Sequence, residues 1–429
     1  MTHYVILGNS AAGLTAIDAI RARDKVGPIT LISKEPDPAY SRVALPYIVS
    51  KEKTLRQITL QEPDYYTANN IETIIGTGAS GLDAKNKTIA LEDGRSISYD
   101  KLLIATGSAS RVPPVKGIDE ADVCYHWTLA DTRKLEEQMA QAKTCFVIGA
   151  GFISLLTVSA LIKAAPLKYT VVEIADQVMP QLLDRTGGQA LERGMREKGI
   201  DVVLGDSVAA IQPSPHGSGS QPDRIGAGPY SITLGSGKTF SADMIVCGTG
   251  VRPNIDFLKD SGIESASGIL TNERQETNVP DVYSAGDCAE GADFVSSERV
   301  VHAIWPTAID QGRVAGANMA GDSQIYPGSL SWNVTELFGR ASASVGEFRG
   351  RDGLEPIVFH NPAANVYRKL LLDGNRIVGA VVIGRAEHIQ DLGVVQTMIR
   401  RKTDISQWKH MLHGERINYG MLAYETIKK

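Results

Sequence analysis

The pattern that most constrains this chain is a strand, a glycine turn and a helix that occur together twice. Tyr4-Val5-Ile6-Leu7 runs into Gly8-Asn9-Ser10-Ala11-Ala12-Gly13, then a helical run from Leu14 to Arg23, then Ile29-Thr30-Leu31-Ile32. About 140 residues later Cys145-Phe146-Val147-Ile148 leads into Gly149-Ala150-Gly151-Phe152-Ile153-Ser154, a helix to about Ala164, and Tyr169-Thr170-Val171-Val172-Glu173. Short apolar runs closed by such turns predict buried parallel strands, so each copy reads as a βαβ unit. A turn with little side-chain bulk lets the start of the helix approach a pyrophosphate, where free N–H groups and the helix dipole hold the anion. The expected fold class is therefore α/β, with two Rossmann-type dinucleotide-binding domains.

At 429 residues, 43% hydrophobic and 22% charged, the chain is expected to form two or three ordinary globular domains. Its 49 acidic and 44 basic residues are well mixed and leave a net charge of −5. No basic stripe stands out, so no nucleic-acid partner is expected. The cysteines at 124, 145, 247 and 288 form no Cys-x-x-Cys pair. Neither a metal site nor a cysteine-held cluster is expected within the chain, and a reducing, cytoplasmic compartment fits. Met1-Thr2-His3 followed by a strand lacks the layout of a signal peptide, and no apolar run reaches the ~18 residues of a membrane helix.

Gln212 to Pro229, rich in Ser, Gly and Pro, is expected to be an exposed loop. The chain leaves the second unit around Val246 to Asn254. After about Gly328 the pattern changes: Tyr367–Leu372 and Ile377–Ile383 read as strands joined at Asp373-Gly374-Asn375. Helices are expected over Asp391–Arg401 and Ser406–Leu412.

In the first turn Gly8 and Gly13 hold the outer positions, Ser10 replaces the middle glycine and Ala12 stays small. Glu35, 22 residues past Gly13, reads either as a ligand of the adenosine ribose or as an exposed loop carboxylate. In the second turn Gly149, Gly151, Phe152 and Ile153 open the helix, and Ser154 replaces the third glycine, which usually allows close helix–strand packing. Glu173 would accept from a ribose 2′-hydroxyl and repel a 2′-phosphate. Ile174-Ala175-Asp176-Gln177 supplies no cation, so NAD is expected rather than NADP.

Leu102-Leu103-Ile104-Ala105-Thr106-Gly107-Ser108 and Tyr283-Ser284-Ala285-Gly286-Asp287-Cys288-Ala289-Glu290 resemble the two other FAD signatures of the pyridine nucleotide–disulfide oxidoreductase superfamily. The three signatures stand in the family's order, and the resemblance covers nearly the whole chain. It implies FAD on residues 1–112 and 246–328, NAD on 113–245, and a small α+β domain at 329–429 for dimerisation or docking. It also assigns roles. Ala105, Thr106 and Gly107 mark the passage between nucleotide domains, while Gly286 and Asp287 lie at the ribityl and phosphate region of FAD. Gly250, in the returning Cys247–Asn254 segment, lies toward the nicotinamide and flavin. Arg252 in that segment is either functional or a structural loop residue. Thr307 and Ala308, behind Trp305-Pro306, supply backbone contact to the flavin pyrimidine. The 316–321 run reads as helix packing.

Two departures narrow the branch. Many relatives place a redox-active cysteine shortly before a Gly-Leu-Pro-Tyr stretch; here Val43 stands there, within Tyr40-Ser41-Arg42-Val43-Ala44-Leu45-Pro46-Tyr47, and valine forms no thiolate. The segment is similar to the cysteine-free branch of rubredoxin and ferredoxin reductases and the flavin portion of NADH-dependent nitrite reductase. In that branch a Tyr-x-Arg segment lies over the FAD diphosphate. Arg42 is thus a candidate phosphate ligand, and Lys51 either a second one or a solvated loop charge. Leu156 stands where relatives often carry Glu. His126 and Trp127 either line the nucleotide cleft or pack.

The resemblance implies an FAD-dependent NAD(H) oxidoreductase in which hydride moves between nicotinamide C4 and flavin N5, with no catalytic side chain. Without a thiol relay, electrons are expected to pass to or from an iron–sulfur protein or subunit. The main expectation is the flavin subunit of a multi-subunit 2-oxoacid (phenylglyoxylate-type) dehydrogenase. The alternatives are a stand-alone NADH:rubredoxin or ferredoxin reductase, and a non-catalytic FAD-binding interaction protein. A homodimer is compatible with each.

Overall fold

The computed structural model describes residues 1–214 and 228–417. Residues 215–227 of the expected polar loop, and 418–429, lie outside them. The main elements begin, in chain order, with β1 (Tyr4–Leu7), α1 (Ala11–Arg21), β2 (Ile29–Ser33), β3 (Ile71–Ile75) and β4 (Lys101–Ile104), with shorter helices and strands between them. Then come α2 (Leu129–Met139), β5 (Thr144–Ile148), α3 (Phe152–Ala164), β6 (Lys168–Glu173), α4 (Arg185–Glu197), β7 (Asp201–Leu204) and β8 (Met244–Cys247). β9 (Val282–Ser284) and α5 (Trp305–Met319) follow. The last are β10 (Trp332–Leu337), β11 (Arg340–Gly346), β12 (Glu355–Asn361), β13 (Val366–Asp373), β14 (Arg376–Gly384) and α6 (Leu392–Arg401).

The chain is an α/β fold with Rossmann-type FAD- and NAD-binding domains, and it divides into two compact units. Met1–Leu45, Lys53–Ala109 and Val251–Leu330 form the first; Pro46–Glu52, Ser110–Gly250 and Ser331–Lys429 form the second. The expected 113–245 and 329–429 segments thus fall together, because the C-terminal sheet packs its side chains into the same apolar cluster as α3 and α4.

In the first unit a parallel sheet runs in the order β9-β4-β1-β2-β3. Every residue of β1 and β2 is buried, as expected of a parallel sheet covered on both faces. Helix α5 lies against α1. A Cβ on Gly312 would come within 2.3 Å of the Ala12 carbonyl oxygen, and one on Gly316 within 2.3 Å of the Ala16 carbonyl oxygen. The small residues of α5 therefore serve helix packing and bring its start beside the start of α1.

The second unit carries a parallel sheet in the order β7-β6-β5-β8 and an antiparallel sheet in the order β10-β11-β14-β13-β12. β13 and β14 turn at Gly374, whose φ of +59° suits a tight hairpin. Alternate residues of β13 serve opposite faces. Tyr367 and Lys369 reach Asp184, while the buried Arg368 guanidinium donates to the carbonyls of Leu412 and Gly414. Both faces of this sheet are thus covered. The expected helix at Ser406–Leu412 is instead a turn followed by one 3-10 stretch, Lys409–His413: the Trp408 N–H donates to the Ile405 carbonyl at 2.9 Å and the Met411 N–H to the Trp408 carbonyl at 2.8 Å, i→i+3 bonds rather than the i→i+4 bonds of an α-helix.

Candidate functional site

The first glycine turn owes its shape to backbone contact. Gly8 has φ +126°, and a Cβ there would lie 2.1 Å from the Ala105 carbonyl oxygen; a Cβ on Gly13 would lie 1.9 Å from the Gly8 carbonyl oxygen. Ser10 is the N-cap of α1, but its side chain makes no capping hydrogen bond, and the first turn holds no acid. α2 and α4 are capped by Thr128 and Asp184. The first N–H groups of α1 are thus left for an anion, and Ala12 adds little bulk there.

Around this turn, Thr106 and Asn254 clasp each other: the Thr106 hydroxyl donates to the Asn254 carbonyl at 2.7 Å, and the Asn254 amide donates to the Thr106 carbonyl at 3.0 Å. Gly107, with φ +65°, has open space where a Cβ would point. The Gly286 N–H donates to Gln311 Oε1 of α5 at 2.8 Å. Beside it the Ser108 hydroxyl donates to Asp287 Oδ2 at 2.7 Å. Burial pushes the Asp287 carboxyl above the usual carboxylate range, against the lowering effect of Ser108 and Arg42. A desolvated carboxylate flanked by an arginine and an uncapped helix start fits the ribityl–diphosphate portion of FAD.

Other expected contacts sit differently. Glu35 already accepts from the Tyr40 hydroxyl (2.5 Å) and pairs with Arg42, so adenosine hydroxyls would share an engaged carboxylate. Lys51 falls in the second unit and pairs with Glu136 of α2; its ammonium serves that ion pair. At α5, Pro306 fills the first turn, and the Ala308 N–H already donates to the Ile304 carbonyl at 3.1 Å. Thr307, with its N–H in the first turn, is the better donor position. Arg252 is exposed and paired with Asp256 at 2.7 Å, a loop role.

In the second unit Gly149 has φ +94°, and a Cβ there would come within 2.6 Å of the Gly248 carbonyl oxygen. Gly151 is the N-cap of α3, again without a side-chain cap or an acid in the first turn, so the N–H groups at Phe152 and Ile153 open toward an anion. Ser154 is fully buried and donates to the Gly248 carbonyl at 2.9 Å. Gly248 makes this possible: a Cβ on it would lie 2.2 Å from Ser154 Oγ. Leu156 packs on the apolar cluster beneath the helix. Gly250 has φ +98° and open space beside it. Glu173 is only 8% exposed and accepts from the Ala150 N–H at 2.7 Å and the Ala175 N–H at 3.0 Å. It ties the turn to the strand end while its remaining lone pairs can still meet a ribose hydroxyl. An exposed cation does lie nearby, since Arg185 pairs with Asp176.

His126 packs. The Thr157 hydroxyl donates to the Ile153 carbonyl at 2.8 Å, so its oxygen accepts from His126 Nδ1 at 2.8 Å. Burial pushes the imidazole down to about 4. Trp127 is half-buried, and its backbone N–H donates to Asp131 Oδ2 at 3.1 Å.

All four cysteines are buried free thiols; burial pushes Cys124 up to about 12. Val43 is 59% exposed. Among the described residues no group of three His, Cys, Asp or Glu side chains could hold a metal, and no helix is long and apolar enough to cross a membrane. Sequence reasoning gave no individual role to Ser108 or Gln311, while Tyr40 stood within its Tyr-x-Arg segment and Gly248 among the glycines of its returning segment.

The family model described as pyridine nucleotide-disulphide oxidoreductase matches residues 2–312, and the rubredoxin NAD+ reductase C-terminal domain matches 334–402. The chain is 34% identical over 409 residues to the NADH-dependent phenylglyoxylate dehydrogenase subunit epsilon of Aromatoleum evansii, covering 94% of this chain and 93% of that one. Among solved structures it is similar to an NAD-dependent persulfide reductase from A. fulgidus, at 28% identity, TM-score 0.83, and coverage of 94% and 78%. It is also similar to NADH:rubredoxin oxidoreductase from Clostridium acetobutylicum, at 26% identity, TM-score 0.75, and coverage of 95% and 97%. The chain belongs to the pyridine nucleotide–disulphide oxidoreductase family and is an FAD-containing, NAD-dependent oxidoreductase.

Proposed function

We propose that this chain is an NADH-dependent reductase of a small iron–sulfur carrier of the rubredoxin or ferredoxin kind. The observation that carries the reading is Val43 at the relay position, with every cysteine buried elsewhere. Electrons then have no thiol stop inside the chain. The match of 334–402 to the rubredoxin reductase C-terminal domain supports it.

FAD is assigned to the first unit, with Gly8, Gly13, Arg42 and Asp287 around its diphosphate and ribityl portion. NADH is assigned to the turn from Gly149 to Glu173. Bound FAD supplies the redox chemistry, accepting two electrons as hydride and releasing them singly. The chain's own work is alignment: the starts of α1 and α3 hold phosphates, Glu173 orders the nucleotide turn, and the start of α5 stabilises negative charge.

A second reading is the flavin subunit of a multi-subunit 2-oxoacid dehydrogenase. It is favoured by the 34% identity across nearly the full length of the epsilon subunit. The test is NADH-driven reduction of purified rubredoxin and of ferredoxin by the isolated chain, repeated with all four cysteines replaced by Ala. Rapid reduction of either carrier, retained in the cysteine-free chain, is expected. Failure with both, together with co-purification of thiamine- or cluster-bearing subunits, selects the second reading.

A further inference from the structure

We propose that Tyr367 and Lys369 of the C-terminal sheet are positioning residues for NADH, acting through Asp184 on the loop that backs the nucleotide turn. The proposal rests on the assignment of Gly149–Glu173 as that turn.

Asp184 caps α4 with one oxygen, Oδ1, which accepts from the Gly187 N–H at 3.1 Å. Its other oxygen takes the Lys369 ammonium and the Tyr367 hydroxyl, each at 2.6 Å. The side chains of Lys369 and Asp184 are only 10% and 15% exposed. Desolvating such a pair is costly, and a helix cap needs neither partner, so local capping does not explain the arrangement.

The loop ahead of Asp184 leads directly to the turn. The Gln177 amide donates to the Leu183 carbonyl at 2.9 Å, and Arg349 donates to the Pro180 carbonyl at 3.1 Å. The Met179 N–H donates to the Ala150 carbonyl at 2.9 Å. Ala150 is therefore held at both peptide groups, by Met179 on its carbonyl and by Glu173 on its N–H. Met179 has φ +49°, a region a side-chain-bearing residue enters only where its surroundings hold it.

Beneath this loop Val178, Met179 and Leu183 are buried in the apolar cluster that also takes Tyr367, Val381 and Ile383 of the C-terminal sheet. A small cavity lies between Phe152, Met179 and Leu182 on one side and Thr335, Ser342 and Ser344 on the other. Ser342 and Ser344, which line it, carry buried hydroxyls with no protein partner. Apolar packing is non-directional, and the polar clamps on Asp184 and Pro180 add the directional contacts that set where the loop, and with it Ala150, stands.

The test is anaerobic reduction of the FAD-loaded protein at increasing NADH, which separates nucleotide affinity from the limiting rate. Lys369→Met is expected to weaken NADH roughly tenfold, or about 1.4 kcal/mol. The limiting rate should hold within about twofold, with Lys369→Arg restoring part of the affinity. Asp184→Asn combined with Lys369→Met should be no weaker than Lys369→Met alone, as expected for one shared interaction. Lys409→Met, which removes an exposed ion pair to Glu355 in the same sheet region, should leave both quantities unchanged. Unchanged NADH affinity in a folded, FAD-replete Lys369→Met chain overturns the proposal, as does an equal shift in Lys409→Met. Should Lys369→Met fail to fold, Tyr367→Phe is read by the same criteria. A Glu173→Gln chain that keeps its nucleotide preference overturns the turn assignment itself; an unchanged Lys369→Met chain overturns only the clamp.

Discussion

In the first unit the third small residue of the glycine turn is Gly13, where a Cβ would sit 1.9 Å from the Gly8 carbonyl oxygen. In the second unit that place belongs to Ser154, whose hydroxyl donates to the carbonyl of Gly248, 94 residues further on. The strand-end acids differ too. Glu35 is engaged by two side chains, Tyr40 and Arg42, whereas Glu173 accepts from two backbone N–H groups. At that third position one turn is closed by its own backbone, the other by a carbonyl just past β8. The same anion-holding geometry thus tolerates a change of residue only where tertiary structure supplies a compensating vacancy.

The largest expected effect separates backbone closure from open space. Gly8→Ala forces a Cβ into the Ala105 carbonyl at φ +126°, and should cost about 3 kcal/mol or more, with FAD lost on purification. Gly151→Ala, at φ −79° with its nearest neighbour 4.0 Å away, should leave the fold intact. Absorbance of the purified protein and its melting temperature check both; an FAD-replete Gly8→Ala chain of ordinary stability would refute the backbone account.

Next comes the compensation itself. Gly248→Ala should destabilise by about 2 kcal/mol through overpacking against Ser154. Most of that should return in the Gly248→Ala/Ser154→Gly chain, since the two positions touch. Purely additive denaturation energies would show that the two residues are not coupled.

A smaller effect separates the two acids. Glu173→Gln keeps an acceptor for the Ala150 N–H but removes the charge that faces a 2′-phosphate. The preference for NADH over NADPH should fall roughly tenfold, about one pKa unit's worth of energy, read from flavin reduction with each nucleotide. Glu35→Gln should leave that preference alone.

The smallest effect concerns pH. Folding raises the Asp287 pKa above its unfolded value. The contribution to stability of the FAD-stripped protein is therefore fully present below the unfolded pKa and is lost as pH rises through the folded one. Asp287→Asn should flatten that dependence and leave the stripped protein slightly more stable at neutral pH, while weakening FAD. A stripped Asp287→Asn protein with an unchanged pH profile of melting would contradict the buried-carboxylate reading.

Much of this architecture was legible because its signals are local. Both βαβ openings, the hairpin at Gly374 and the helix at 392–401 follow from apolar runs, glycine placement and turn chemistry within a few tens of residues. The helix start at Ala11 rather than Leu14 was missed because small residues at a dinucleotide turn look like loop. The expectation of a helix over 406–412 failed because the chain there closes i→i+3 bonds, from Trp408 to Ile405 and from Met411 to Trp408, and its end is tied to the buried Arg368 of β13. Lys51 was read from its place after the Tyr-x-Arg segment, and nothing local to it shows Glu136 waiting 85 residues on.

By itself the sequence determined that the chain builds two dinucleotide turns, carries an acid at the end of each second strand, and lacks a thiol at the relay position. Those properties depend on residue type and short-range order, which survive in a string of letters. Only the tertiary structure decided that Gly248 makes room for Ser154, that Tyr40 and Arg42 engage Glu35, and that the C-terminal sheet reaches Asp184 from 183 residues away. Those partnerships arise from which surfaces the packed sheets bring together, and hydrogen bonds between buried groups are set by that geometry rather than by spacing along the chain.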